Sequence, residues 1–171
     1  MDIDVADGYK QWIRSLLDRL SPALESQLRT ILSYRFHPRV VLLDTEVFPD
    51  GLREGVPMRM FLIDAQNNET FRDDHAYFLP SSIGILEDIR EVVPLDEMER
   101  QKLYETAGVE TLEIEMATLV EWFAACWIQA GGQQCPLPAY INYHDGKASF
   151  DLKQMTWETK AQGMWAHFTQ E

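Results

Sequence analysis

The sequence has 171 residues and a formal net charge of -13, because 28 Asp and Glu residues outnumber 15 Lys and Arg residues. This length fits one domain spanning residues 1–171, which can bury a core without disulfides or metal. The negative charge disfavours nucleic acid and anionic membranes as partners, because such surfaces are bound mainly through Lys and Arg. The partner that this charge favours is a basic protein.

The sequence carries no signal for export or membrane insertion. Residues 1–7 are acidic, whereas a signal peptide begins with basic residues followed by apolar ones. The longest nearly apolar stretch, residues 116–130, contains Glu121 and is too short to span a bilayer. Cys126 and Cys135 do not form a disulfide framework. These features predict a soluble protein of the reducing cytoplasm.

Two helices and then strands are predicted in the first half of the chain. Apolar residues at helical spacing predict a helix over residues 9–20, and Ser21-Pro22 begins a second helix that ends at His37-Pro38. Residues 39–48 and 58–63 are apolar runs typical of strands, and a third strand is possible in residues 70–79. The short links between these runs predict an antiparallel meander.

Helices and a hairpin are predicted in the second half. A short helix should run from Ser81 through Val93, and an exposed helix over residues 96–107 should end at Gly108. The longest helix should cover residues 111–130 and stop at Gly131-Gly132, with an inward face formed by Leu112, Met116, Leu119, Val120, Phe123 and Trp127.

Two strands joined by Asp145-Gly146, over residues 139–144 and 148–152, complete the predicted elements. The fold class is therefore α+β. We expect an antiparallel sheet of about five strands, made of the N-terminal meander and the C-terminal hairpin, packed against several helices in a single domain.

Known catalytic and phosphate-binding motifs are absent from the sequence. It contains no glycine-rich phosphate loop, no nucleophile elbow and no zinc-binding histidine pair on a helix. We therefore predict no cofactor and favour a non-catalytic role, although a site assembled from distant residues stays open.

Histidine and aspartate are adjacent in two places, which suggests the main enzymatic alternative. Asp74 precedes His75, and His144 precedes Asp145. If these segments met, they would form a metal site suited to a small metal-assisted hydrolase. The simpler interpretation is structural, because Asp145 is already explained by the hairpin turn.

A partner-binding surface is the favoured functional interpretation. Ile114 and Ile128 fall almost opposite the main apolar face of the long helix, beside Glu121, and the tail carries Trp157 and Trp165. Tryptophan is enriched at interface hot spots. The sequence thus predicts an acidic, aromatic-containing surface for a basic protein, unless these side chains pack within the domain.

In size, acidity and lack of motifs, the chain resembles the immunity proteins that bacteria make against basic toxins. The resemblance is one of character, and no motif carries it. A structural subunit or scaffold is the third hypothesis, and the sequence does not determine the oligomeric state.

Overall fold

The computed structural model describes residues 3–49, 52–69 and 80–168. These ranges contain four α-helices: α1 Ile3–Asp18, α2 Ser21–Ser33, α3 Glu97–Ala107 and α4 Thr111–Gln129. The strands are β1 Val40–Val47, β2 Met58–Asp64, β3 Ser82–Gly84, β4 Ala139–Tyr143, β5 Ala148–Asp151 and β6 Thr156–Thr159. None of the helices in these ranges has the length and apolar character that crossing a membrane requires.

The six strands form one mixed sheet in the order β3-β2-β1-β4-β5-β6. Neighbouring strands are antiparallel except β1 and β4, which are parallel. The α+β class is confirmed, whereas the predicted antiparallel sheet of about five strands is wrong. The reason is the long connection through α3 and α4, which carries the chain back along the sheet before β4 begins. As a result β4 starts beside the first half of β1 and runs parallel to it. The short links between neighbouring strands correctly predicted the antiparallel pairs β1–β2 and β4–β5, but they contained no information on the pairing of β1 with β4.

The segment after β3 is the second difference from the prediction. Residues 85–93 form turns and irregular structure instead of a helix. Gln27 of α2 fixes this path, because its side chain donates to the Gly84 carbonyl (2.9 Å) and accepts from the Leu86 N–H (3.1 Å). Leu86 has a φ of +51°, which no α-helix contains. The predicted third strand at 70–79 lies outside the described residues.

The main core lies between one face of the sheet and the helices α1, α2 and α4. Its largest fully buried side chains include Trp122, Phe123 and Trp127 of α4. The Trp122 Nε1 group donates to Ser21 Oγ at 2.8 Å, which joins α4 to the start of α2. The predicted inward face of α4 is partly wrong, because Leu112 is exposed while Glu115 is completely buried.

The predicted stop after α4 is confirmed. Gly131 has a φ of +89°, in the region that favours glycine. A Cβ on Gly132 would lie 2.2 Å from the Trp127 ring, so the backbone can approach that indole only without a side chain.

The second face of the sheet carries a smaller apolar cluster. Leu42, Ile63 and Tyr140 pack there against Met164, which belongs to the short 3-10 turn Met164–His167. We call this side the open face, because among the described elements it is covered by this C-terminal turn and not by a helix layer.

Candidate functional site

An open apolar groove of about 450 Å³ lies between α4 and the strands β4 to β6. Its lining residues, which define the Trp157 groove, are Ala117, Val120, Glu121, Tyr143, Gly146, Lys147, Ala148, Phe150 and Trp157. The groove forms because the sheet extends beyond the helix layer, so that the helix-side face of β5 and β6 is only partly covered.

Trp157 projects from β6 into this groove. It pairs across the ladder with Phe150, and the two ring centroids lie 5.5 Å apart in an edge-on arrangement. The Tyr143 ring also lies 5.5 Å from Trp157, in a tilted arrangement. Trp157 is nevertheless 44% exposed, so much of its indole is open to solvent. The result is an aromatic surface that is fixed by packing and still accessible.

One acidic side chain, Glu121, lines the α4 side of the groove. Glu121 forms an exposed ion pair with Lys10 of α1, at 2.7 Å between Oε1 and Nζ. The pKa of Tyr143 is raised, mainly by burial and further by the negative charges of Glu121 and Glu113. Lys147 is the basic residue among the lining side chains. The groove therefore combines aromatic surface with one acidic and one basic side chain.

The five side chains predicted to bind a partner do not share one surface. Glu121 and Trp157 both line the groove. Ile114 is partly buried against the main core, and Ile128 is exposed farther along α4. Trp165 is half exposed in the turn that covers the open face. The structure thus brings two of the five together.

His144 of the predicted His-Asp pair forms its hydrogen bond with Glu46 of β1. His144 Nδ1 lies 2.6 Å from Glu46 Oε2, whereas its Nε2 lies 3.7 Å from the Asp145 carboxylate. The hydrogen bond to Glu46 is the main reason that the pKa of His144 is raised. Asp145 occupies the β4–β5 turn with a φ of +60°, as predicted.

The other half of the predicted metal site, Asp74 and His75, lies outside the described residues. Across the ranges that are described, His, Cys, Asp and Glu side chains nowhere gather in the threes that could hold a metal ion. The metal site stays a prediction.

A buried polar cluster lies on the open face and was not predicted from the sequence. It comprises Asp44, Asn142, Ser149 and Lys160, each less than 10% exposed. Asn142 Nδ2 donates to Asp44 Oδ1 at 2.5 Å. Burial, together with the charge of Glu46, raises the pKa of Asp44 to about 7. The sequence did contain one signal for this cluster: Asp44 and Asn142 are polar residues within the largely apolar runs of β1 and β4.

A second buried carboxylate, Glu115 of α4, lies among the helices. The Tyr9 hydroxyl donates to it at 2.5 Å, Arg100 Nη1 donates at 2.5 Å, and the Leu52 N–H donates at 3.1 Å. These bonds tie α1, α3 and the β1–β2 connection to α4. The arrangement explains Glu115 as a structural residue.

Comparisons of this chain with protein-family models, with curated proteins and with solved structures found no match. The surfaces of the chain itself are therefore the basis for inferring its function. Of these, the Trp157 groove combines accessible aromatic side chains with a concave shape.

Proposed function

We propose that this chain is a non-catalytic protein-binding domain that takes a basic protein partner at the Trp157 groove. The observation that carries the proposal is Trp157 itself, an exposed indole held over an open groove by Phe150 and Tyr143. Tryptophan in a concave, largely apolar surface is the side chain that most often dominates the energy of a protein interface.

The charge of the chain supports a basic partner. A net charge of -13 produces a long-range field that accelerates encounter with positively charged proteins. Glu121 lines the groove, and its charge, with that of Glu113, adds to the burial that raises the pKa of Tyr143, which supports a cationic partner at this surface. Electrostatic steering would set the rate of association, and burial of the indole would set the lifetime of the complex.

The test is affinity capture with the purified chain from an extract of its source cell, at low and at high salt. We expect one basic protein to be retained at low salt and to be weakened as salt rises, because screening shortens the range of the field. Trp157→Ala should abolish retention, since it removes the central side chain of the groove.

Trp165→Ala is the matched control, because Trp165 is also a half-exposed indole but lies outside the groove. It should retain the same protein as the unmodified chain. Equal retention by the Trp157→Ala variant, or no specific retention by the unmodified chain, would contradict the proposal.

An inhibitory role of the kind that immunity proteins have is the more specific form of this proposal. It requires that the captured protein be an enzyme. Adding the chain should then block that enzyme's activity in equimolar amount, whereas the Trp157→Ala variant should not. Full enzyme activity in the presence of excess chain would reduce the proposal to binding alone.

A further inference from the structure

The strand β6 is an edge strand of the sheet and pairs with β5. The Lys160 N–H donates to the Lys147 carbonyl at 3.0 Å, which makes these residues a hydrogen-bonded pair. Such pairs alternate along an antiparallel ladder. The register then turns the Glu158 N–H towards β5, and the N–H groups of Trp157 and Thr159 away from the sheet.

These outward groups form an unpaired backbone edge. The Thr159 carbonyl is already occupied by the N–H groups of Gln162 and Gly163, at 3.0 and 3.1 Å. The Trp157 carbonyl accepts from Thr156 Oγ1 at 3.5 Å, a long bond that an incoming N–H could replace. The N–H groups of Trp157 and Thr159 remain available in the described part of the chain. Thr156, Trp157 and Thr159 are all exposed, so another strand could reach this edge.

The edge strand is short, at four residues, but it lacks other features that commonly prevent a further strand from pairing. Proteins commonly protect an exposed edge with proline, an outward lysine or a bulge. Residues 156–159 contain Thr, Trp, Glu and Thr, and their ladder with β5 is continuous. The charged residue, Glu158, is turned to the open face, where its side chain lies against Gly163.

We propose that the basic partner binds by adding an extended segment of its chain to the outer edge of β6, with an apolar side chain beside Trp157. This inference rests on the proposed function and specifies how the groove is used. Backbone pairing with the edge provides affinity, and the alternate side chains provide selectivity. The net charge of -13 favours lysine or arginine in the added strand.

Two variants at one position test the edge without altering Trp157. Thr159→Pro removes an outward N–H, and Thr159→Val keeps it. Both remove the hydroxyl that donates to Gln162 Oε1 at 2.9 Å, so they differ mainly at the backbone. We expect Thr159→Pro to weaken binding about three- to tenfold, the effect of losing one hydrogen bond, and Thr159→Val to leave it unchanged.

The probe is a capped nine-residue peptide in which lysine alternates with threonine around a central phenylalanine. Two versions carry N-methyl groups on one or the other set of alternate amides. We expect one methylated version to lose binding while the other retains it, because an added strand uses only one set. NMR of the labelled chain should show new protection of the Trp157 and Thr159 amides against exchange.

The outcomes distinguish this inference from the proposed function. If both methylated peptides bind as well as the parent, and only the NMR resonances of the Trp157 indole shift, groove binding stands and strand addition is wrong. If no peptide shifts that indole, the result counts against the groove and thus against the proposed function as well. A dimer seen by light scattering that Thr159→Pro disrupts would instead identify a second copy as the occupant.

Discussion

Glu115 and Asp44 are both buried carboxylates, and their surroundings differ sharply. Glu115, among the helices, accepts hydrogen bonds from the Tyr9 hydroxyl, the Leu52 N–H and the Arg100 guanidinium. Asp44, on the open face, accepts one hydrogen bond from Asn142, while Lys160 acts on it only through its charge. Both residues are almost inaccessible, at 0% and 6% exposure.

The difference shows that burial alone does not determine what a buried charge costs. Donors directed at a carboxylate offset the loss of water, and Glu115 has them from three parts of the chain. The open-face cluster is less complete, because Asn142 Oδ1 and Ser149 Oγ have no hydrogen-bond partner. Burial, and next the charge of Glu46, raise the pKa of Asp44 to about 7, and the single bond from Asn142 offsets this only in part. We therefore expect the two regions to respond differently to the same kinds of change.

Removing the cation beside Glu115 should have the largest effect. Arg100→Met leaves the Glu115 carboxylate buried without its ion-pair partner, whose contact is 2.5 Å. Breaking a buried pair in this way typically lowers the free energy of unfolding by about 3–5 kcal/mol. Urea denaturation at pH 8, where the carboxylate is fully ionised in the unfolded chain, measures the loss.

Arg14→Met is the matched control, because it breaks an exposed ion pair with Asp18 by the same substitution. Exposed pairs contribute roughly 0–1 kcal/mol, so this variant should unfold almost as the unmodified chain does. Equal effects of the two variants would show that Glu115 is less dependent on Arg100 than its geometry implies.

The pH dependence of stability should identify Asp44 next. Its pKa is about 7 in the fold against an ordinary value of 3.8, so between these values the folded state holds a proton that the unfolded chain releases. The free energy of unfolding should therefore fall as pH rises from about 4 to about 7. One pKa unit corresponds to about 1.4 kcal/mol, so this single group contributes about 4 kcal/mol at most.

Asp44→Asn should remove this component, because the amide is neutral at every pH and its carbonyl can still accept from Asn142. The difference in unfolding free energy between the variant and the unmodified chain should grow from pH 4 to pH 8. Asp145→Asn, at a side chain that is 93% exposed, controls for the loss of one negative charge. A constant difference across this range would place the pKa of Asp44 near its ordinary value.

Much of the local structure could be predicted from sequence, because its signals lie within a few residues. The α3 helix is an example: Asp96 and Glu99 form a capping box at its start, and Gly108 ends it in a left-handed conformation. The hairpin turn at Asp145-Gly146 is another. Side chain and backbone preferences at neighbouring positions decide such features, so one sequence contains them.

Long-range pairing was the part that could not be predicted. The parallel contact of β1 with β4 depends on how α4 packs, and the turn after β3 depends on Gln27 in a distant helix. For the same reason Asp44 and Asn142, far apart in sequence, gave no sign that they would share a hydrogen bond. The Trp157 groove was predicted only in its components, Glu121 and Trp157, and not as a surface.

Removal of one hydroxyl from each region should give the smallest effects and the most direct comparison. Tyr9→Phe deletes a hydroxyl that donates to the Glu115 carboxylate, whereas Ser149→Ala deletes one that has no partner. A hydrogen bond to a charged group contributes about 1.5–3 kcal/mol, so the first change should lower the free energy of unfolding by that order. The second removes an unsatisfied group and should be neutral or slightly stabilising.

Urea denaturation of both variants at one pH provides the measurement, and the contrast between them matters more than either value. Each change deletes a single oxygen from a buried residue, so loss of packing contributes little to the difference. A loss on Ser149→Ala as large as that on Tyr9→Phe would mean that Ser149 Oγ does make a stabilising interaction. The open-face cluster would then be as well satisfied as the Glu115 site, and the contrast between the two carboxylates would have to come from Lys160 rather than from missing donors.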